Sequence, residues 1–166
     1  MQKLIKNGQL TQDYWTILRE ATGPEVLNAV PGKNFIVPLK FWKLYREDLA
    51  DYAGEVAIWL DSDENVNDIG SELASFSLIA LNFPIFSDGR SYTNARELRE
   101  CHKYEGEVRA IGDVLRDQLY YMSRCGFDAF DLRSDQSPEN CLTAFADFST
   151  SYQATISESS PLFRRR

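Results

Sequence analysis

The sequence predicts an α/β domain whose mainly parallel sheet has four to five strands, with helices alternating between them. Short apolar runs alternate with segments of helical spacing along the chain, which is typical of parallel strands joined by right-handed crossovers. A chain of 166 residues is too short for an eight-fold barrel of about 250 residues. We therefore expect an open sheet with Rossmann-like layering but no dinucleotide fingerprint, or a partial-barrel arc.

The first 34 residues are predicted to form an irregular clasp or an edge hairpin beside the main domain. Turn-forming residues interrupt this segment at Gly8 and at residues 23–24. Two short runs, residues 4–5 and 15–18, are candidate strands.

Residues 35–150 carry the regular alternation and are predicted to form one α/β domain. The candidate strands are apolar runs bounded by turn residues, and they span residues 35–39, 55–60, 76–83, 107–112 and 128–133. The candidate helices have apolar residues at helical spacing, and they span residues 40–52, 68–73, 91–103, 114–125 and a last segment from Pro138. Asp113 is predicted to cap the fourth helix and Gly126 to end it. Residues 151–166 are predicted to be an extended tail.

The composition limits the classes of function. With 43% apolar and 26% charged residues the chain resembles ordinary globular proteins. No apolar run approaches the roughly 20 residues that cross a bilayer, and the N-terminus lacks the apolar core of a signal peptide, so we expect a cytoplasmic protein without a membrane span. The net charge of −7 argues against nucleic-acid binding, which normally needs a basic surface. An aromatic content of 13% leaves a homodimer open.

The three cysteines and single histidine give little support for a metal or redox centre. Cys101, Cys125 and Cys141 lie far apart and form no CxxC pair, so neither a disulfide framework nor a four-thiolate cluster is expected. His102 falls on the apolar face of a predicted helix, which favours a half-buried structural residue over a catalyst. We therefore expect no metal and no bound cofactor.

The candidate site lies at the predicted carboxyl ends of the strands, where parallel sheets bind their ligands. Asp61 and Asp63 follow one of the strands, Asn82 lies near the end of the next, and residues 88–91 then enter a helix. This entry offers backbone donors beside a guanidinium and could cradle an anion. The alternative is a glycine-containing turn closed by an Asp–Arg ion pair. The predicted anion-binding residues are Asp88, Gly89, Arg90, Ser91, Tyr92, Gly112, Asp113, Arg116, Asp117 and Arg133.

Arg116 also has two interpretations. Asp113 and Asp117 flank it at helical spacing and could orient it to grip a carboxylate, sulfate or phosphate. Alternatively, these groups form an ion-pair network that fixes the helix to its neighbours. No catalytic residue is predicted, because the sequence forces no nucleophile–base arrangement.

Two central stretches and the end of the chain carry a resemblance to a known family. They read DGRSYTNARELRE, GEVRAIGDVLRDQLYYMSRCGFDAFDLR and PLFRRR. Over roughly residues 35–165 the chain resembles the bacterial domain-of-unknown-function family 934. Members of that family are commonly labelled oxidoreductases, and their genes typically lie beside those for sulfite reductase and assimilatory sulfate reduction.

The resemblance implies an accessory protein that acts with sulfite reductase or another sulfate-assimilation enzyme. A small metal-free enzyme, or a sensor, that binds an anionic sulfur metabolite at the carboxyl edge of the sheet is the alternative. The oxidoreductase label comes from the resemblance alone, since the sequence has no flavin or nicotinamide fingerprint. In the tail, Leu162 and Phe163 stand beside three arginines and form a candidate docking peptide.

Overall fold

Eight strands form a single sheet in the computed structural model, which describes residues 3–30, 33–150 and 152–165. The strands are β1 (Lys3–Lys6), β2 (Gln9–Gln12), β3 (Trp15–Ile17), β4 (Asn34–Pro38), β5 (Val56–Leu60), β6 (Leu78–Phe83), β7 (Glu107–Gly112) and β8 (Ala129–Phe130). The α-helices are α1 (Val26–Ala29), α2 (Leu39–Ala50), α3 (Arg90–Glu100), α4 (Leu119–Cys125) and α5 (Pro138–Cys141). Segments of 3₁₀ helix span Val66–Ser75, Arg116–Gln118, Leu142–Ala146 and Leu162–Arg164.

The order of strands across the sheet is β2-β1-β8-β7-β6-β5-β4-β3. All pairings from β3 to β8 are parallel, whereas β1 pairs antiparallel with both β8 and β2. The predicted α/β class and mainly parallel pairing are confirmed. The predicted four to five strands are wrong, because the N-terminal strands join the same sheet. β2 gave no signal in the sequence, since its run QLTQ is polar and every residue in it is exposed.

The two edge strands of the sheet are joined end to end. Only Asp13 and Tyr14 separate β2 from β3, so three Cα steps of about 3.8 Å hold Gln12 within about 11 Å of Trp15. The two strands also run in the same direction, as follows from the pairings of β1. The sheet therefore curls on itself, and the segment from β2 to β3 closes it by pairing first with β1 and then with β4.

Helices cover the outer face of the curled sheet, and strand residues fill the inner face. The outer core contains buried side chains from α2, α3 and α4, among them Trp42, Leu98 and Met122. A separate inner cluster consists of strand residues, namely Ile36, Ala57, Leu78, Ala80 and Ile111, with Trp15, Ile17 and Trp59 packed against them. The sheet is therefore curled, as in the partial-barrel arc that the sequence left as an alternative, and not open with Rossmann-like layering. The curl leaves the inside too narrow for a helix, so side chains fill it as in small barrels.

Charged side chains occupy the amino end of this interior. Arg109 on β7 is only 1% exposed, and it donates to both carboxylate oxygens of Asp13 at 3.0 and 2.9 Å. It also donates to Glu107 at 2.7 Å, and Glu107 in turn pairs with Lys6 at 2.6 Å. Because Asp13 belongs to the closing segment, these ion pairs tie that segment to a central strand across the interior.

The two predicted caps of α4 had different outcomes. Gly126 ends α4 in the left-handed conformation, with φ +115°, as predicted. The prediction that Asp113 caps this helix is wrong, because helical structure begins only at Arg116. The Asp113 carboxylate is held elsewhere, by Arg133 and by the backbone N–H of Phe86.

No helix in the described ranges is both long enough and apolar enough to cross a bilayer.

Candidate functional site

The candidate site lies at the end of the curled sheet where the parallel strands finish. In closed parallel sheets this carboxyl end carries the ligand site, because the loops that follow the strands converge there. Inward-facing residues alternate along each strand, so Trp59 and Asp61 follow Ala57 on the inner side, and Asn82 follows Ala80. Polar groups of β5 and β6 are thereby brought to one opening, which we call the mouth and define by Arg19, Trp59, Asp61, Asn82 and Gly112.

A chain of hydrogen bonds crosses the mouth from β3 to β5. Arg19 Nη1 donates to Asn82 Oδ1 at 2.8 Å, and Asn82 Nδ2 donates to Asp61 Oδ1 at 3.0 Å. The same Asp61 oxygen also accepts from the backbone N–H of Ser62 at 2.8 Å. Asn82 is 6% exposed, and the Ser91 hydroxyl donates to its backbone oxygen at 2.6 Å. Asp61 therefore orients the amide, and the amide presents its oxygen to Arg19.

Trp59 supports Arg19 from a second side. The guanidinium carbon of Arg19 lies 5.6 Å from the centre of the Trp59 ring, within the range of a cation–π contact. Trp59 Nε1 also donates to the backbone oxygen of Leu18 at 2.9 Å, which fixes the residue before Arg19. One aromatic side chain thus positions both the backbone and the charged group.

Gly112 lies at the bottom of the mouth, where its backbone packs closely against the Asn82 side chain. Its φ is +96°, and a Cβ atom at this position would lie 2.4 Å from the Phe83 backbone oxygen and 2.6 Å from Asn82 Oδ1. A side chain there would collide with the atom that accepts the Arg19 hydrogen bond. Only glycine combines this φ with this close approach.

Arg19 keeps unused donors at the mouth. Within the described ranges its guanidinium makes the one hydrogen bond to Asn82 and no ion pair, and the residue is exposed. An exposed guanidinium that is already oriented suits a carboxylate, sulfate or phosphate, because it needs little further ordering to donate two parallel hydrogen bonds.

Comparison with known proteins gives one family. The model of a family of bacterial proteins of unknown function, DUF934, matches residues 57–163, which is more than half of the chain. The chain belongs to this family. No curated protein and no solved structure matched the sequence. The part matched by DUF934 includes Trp59, Asp61, Asn82 and Gly112, whereas Arg19 comes from the N-terminal segment outside it.

In this DUF934 protein, the predicted anion cradle at residues 88–91 makes hydrogen bonds to other groups of the chain. Arg90 donates through Nε and Nη2 to both carboxylate oxygens of Asp88, at 3.0 and 2.6 Å, and through Nη2 to the Ser62 hydroxyl at 2.8 Å. The hydrogen bond from Arg90, and after it the one from Ser62, holds the pKa of Asp88 well below its usual range. Gly89 precedes α3 as its N-terminal flanking residue, and Ser91 is turned inward to Asn82. These are the contacts of the ion-pair alternative; the anion cradle itself stays a prediction.

Three other predicted residues lie near the same edge. Arg133 Nη1 donates to Asp113 at 2.7 Å, and its Nε donates to Asp135 at 2.7 Å. The hydrogen bonds to Asp135 and then Asp113 raise the pKa of Arg133. The Tyr92 ring instead packs against Phe83 at 5.2 Å, and its burial raises its pKa to about 12.

Arg116 makes its side-chain hydrogen bonds outside the predicted cradle. Arg116 donates to both carboxylate oxygens of Asp147, at 3.1 and 2.9 Å, and to the Thr143 hydroxyl at 3.0 Å. The hydrogen bonds to Asp147 raise the pKa of Arg116. Asp117 is exposed. Arg116 thus fastens its 3₁₀ segment to the helical region after α5.

The sequence analysis missed Arg19 and Trp59 as site residues. It placed Asp61, Asn82 and Gly112 at the carboxyl edge of the sheet, but it assigned the first 34 residues to an irregular clasp or an edge hairpin and gave them no part in the site. A signal was present: Trp15, Ile17 and Arg19 occupy alternate positions, so a strand there turns all three to one side. Including that strand in the sheet would have brought Arg19 to the carboxyl edge.

Proposed function

We propose that the protein binds a small oxyanion at the mouth and that Arg19 is its principal ligand. The observation that carries this proposal is the state of Arg19, which is oriented by Asn82 and Trp59 and keeps donors unused. By contrast, Arg90, Arg116 and Arg133 already pair with carboxylates of the chain. An incoming anion would have to displace those carboxylates, whereas at Arg19 it displaces only solvent.

The affinity that we expect is modest. Arg19 is exposed, and charges in contact with water interact weakly and are screened by salt. A hydrogen bond to a charged group contributes about 1.5–3 kcal/mol. Orientation by Asn82 reduces the ordering that the anion must impose, so binding should be measurable at low ionic strength and should weaken as salt is added.

The first test is a calorimetric titration of the purified protein with sulfite, sulfate and phosphate at constant low ionic strength. Arg19→Met should weaken binding at least about tenfold, since it removes a charge-assisted hydrogen bond while keeping an unbranched side chain. Arg96→Met is the matched control. It removes the same charge from an exposed i,i+4 pair on α3 and should leave the affinity unchanged.

Two outcomes would contradict the proposal. If neither sulfite, sulfate nor phosphate binds the wild-type protein, the mouth is not an anion site. If Arg19→Met binds as tightly as the wild-type protein, the anion lies elsewhere. Arg90→Met, Arg116→Met and Arg133→Met would then show whether the predicted cradle holds it.

We further propose that the anion is a sulfur oxyanion and that the protein assists sulfite reductase. The resemblance to family 934 implies this setting, and the cysteine spacing and missing cofactor fingerprints are the reasons to place the protein in the cytoplasm without a bound cofactor. One feature favours a protein partner: Phe148, Tyr152 and Phe163 are 63%, 66% and 60% exposed. Exposed aromatic groups often mark interaction surfaces. The last 16 residues also carry three arginines and one glutamate, on a chain of net charge −7.

The partner is tested by a pull-down from a sulfate-starved cell extract with the purified protein. The full chain should recover sulfite reductase, and deletion of residues 160–166 should abolish recovery while the circular dichroism spectrum stays that of the folded protein. Ile85→Gln, which alters an exposed apolar residue outside the tail, is the control and should retain the partner. Recovery by the truncated chain would show that the tail is not the docking segment, and no recovery by the full chain would contradict the accessory role.

A further inference from the structure

A groove opens directly beside Arg19. It has a volume of about 450 Å³ and runs between the segment after β3 and the exposed side of α2. Its lining includes Arg19, Glu20, Lys40, Phe41, Leu44 and Tyr45. Small-molecule sites in proteins usually measure about 300–1,000 Å³, so the groove is large enough for an organic molecule and much larger than a bare oxyanion needs.

The groove is cationic on an acidic protein. Arg19, Lys40 and Glu20 are its charged residues, which gives it a net charge of +1 where the whole chain carries −7. The Lys40 side chain is 78% exposed, and its contact with Glu64 is a long one of 3.7 Å. Lys40 can therefore turn toward a ligand that is bound by the unused donors of Arg19. An anion is the charge that this groove favours.

The α2 side of the groove carries apolar and aromatic side chains next to Lys40. Leu44 on α2 is 72% exposed and lines the groove. The rings of Phe41 and Tyr45 pack at 4.9 Å, and the Tyr45 hydroxyl donates to the Thr22 backbone oxygen at 3.2 Å. That hydrogen bond joins α2 to the segment after β3, and so it fixes the distance between the two sides of the groove.

We propose that the ligand of this site is an organic anion, with its oxyanion group at Arg19 and Lys40 and an apolar or aromatic body against Leu44 and Tyr45. This inference rests on the proposed function and adds the ligand class to it. Sulfonates, sulfate esters and phosphate esters share the required chemistry. Burial of the body against these side chains would supply the affinity that an exposed arginine alone does not give.

The test compares two probes that carry the same anionic group, methanesulfonate and naphthalene-2-sulfonate. We expect the naphthalene compound to bind at least about tenfold more tightly, because it adds buried apolar area. Arg19→Met should weaken both probes. Leu44→Gln, an exposed helix position whose replacement spares the core, should reduce the advantage of the naphthalene compound several-fold and leave methanesulfonate unchanged.

Ile85→Gln is the matched control, because Ile85 is another exposed apolar residue, at 58%, and lies outside the groove. Equal affinities for the two sulfonates would overturn the organic ligand class while leaving oxyanion binding at Arg19 intact. Tighter naphthalene binding that Leu44→Gln does not alter would overturn the placement of the body in the groove. Failure of all anions, inorganic and organic, to bind would overturn the proposed function together with this inference.

Discussion

Replacing Arg109 with methionine should lower the free energy of unfolding by about 3–5 kcal/mol, the cost of breaking a buried ion pair by removing one partner. Arg109 is 1% exposed and bonds Asp13 and Glu107, whose side chains are 5% and 8% exposed. Without the guanidinium, two buried carboxylates would face each other with only Lys6 to compensate. Because Asp13 belongs to the closing segment, the strand pairing between β3 and β4 should also loosen.

Urea denaturation followed by circular dichroism measures this effect, and amide hydrogen exchange locates it. Arg96→Met is the control, since its exposed pair with Glu100 should contribute about 0.3–0.5 kcal/mol. Exchange should rise first in β2, β3 and β4. A loss below about 1 kcal/mol for Arg109→Met would mean that the buried charges do not hold the closure of the sheet.

Replacing Gly112 with alanine should cost about 3 kcal/mol and should also weaken anion binding. The strain of a non-glycine residue at φ +96° is of the order of 1–3 kcal/mol, and the overpacking against Phe83 and Asn82 adds to it. The added Cβ would displace Asn82 Oδ1, so the orientation of Arg19 would be lost with it.

Gly8→Ala is the matched control for this substitution. Gly8 also has a positive φ, +72°, but a Cβ there would meet no atom within 4 Å. It therefore measures the conformational cost alone, about 1 kcal/mol. Thermal denaturation and calorimetric titration of both variants separate strain from crowding. If Gly112→Ala matched Gly8→Ala in stability and kept the wild-type affinity, the contact between Gly112 and Asn82 would have no role in the site.

Much of the sheet could be predicted because its central strands carry a local signal. β5, β6 and β7 are apolar runs with turn residues at both ends, and each forms a strand close to its predicted limits. Closure of the sheet carried no such signal. It depends on pairing between residues far apart in sequence, and on a polar strand, β2, whose exposed residues show no alternation of apolar and polar groups.

Only those residues of the candidate site that lie at recognised strands could be placed from the sequence. Asp61 follows a recognised strand, and Asn82 and Gly112 lie near the ends of two others, so their edge could be predicted from the order of elements. The partners of the arginines could not, because Arg116 pairs with a residue 31 positions away and Arg19 with one 63 positions away. Spacing along a helix predicted Asp113 and Asp117 as the partners of Arg116, but its hydrogen-bonded carboxylate is that of Asp147.

The most direct test of the central claim is an NMR titration of the arginine Nε–H resonances with sulfite. The Arg19 resonance can be identified by its loss in Arg19→Lys. Our account predicts that this resonance shifts saturably as sulfite is added, while those of Arg90, Arg116 and Arg133 stay in place because their guanidinium groups are already paired. Saturable shifts of those three resonances with an unmoved Arg19 would contradict it, and would place the anion site at the cradle that the sequence predicted.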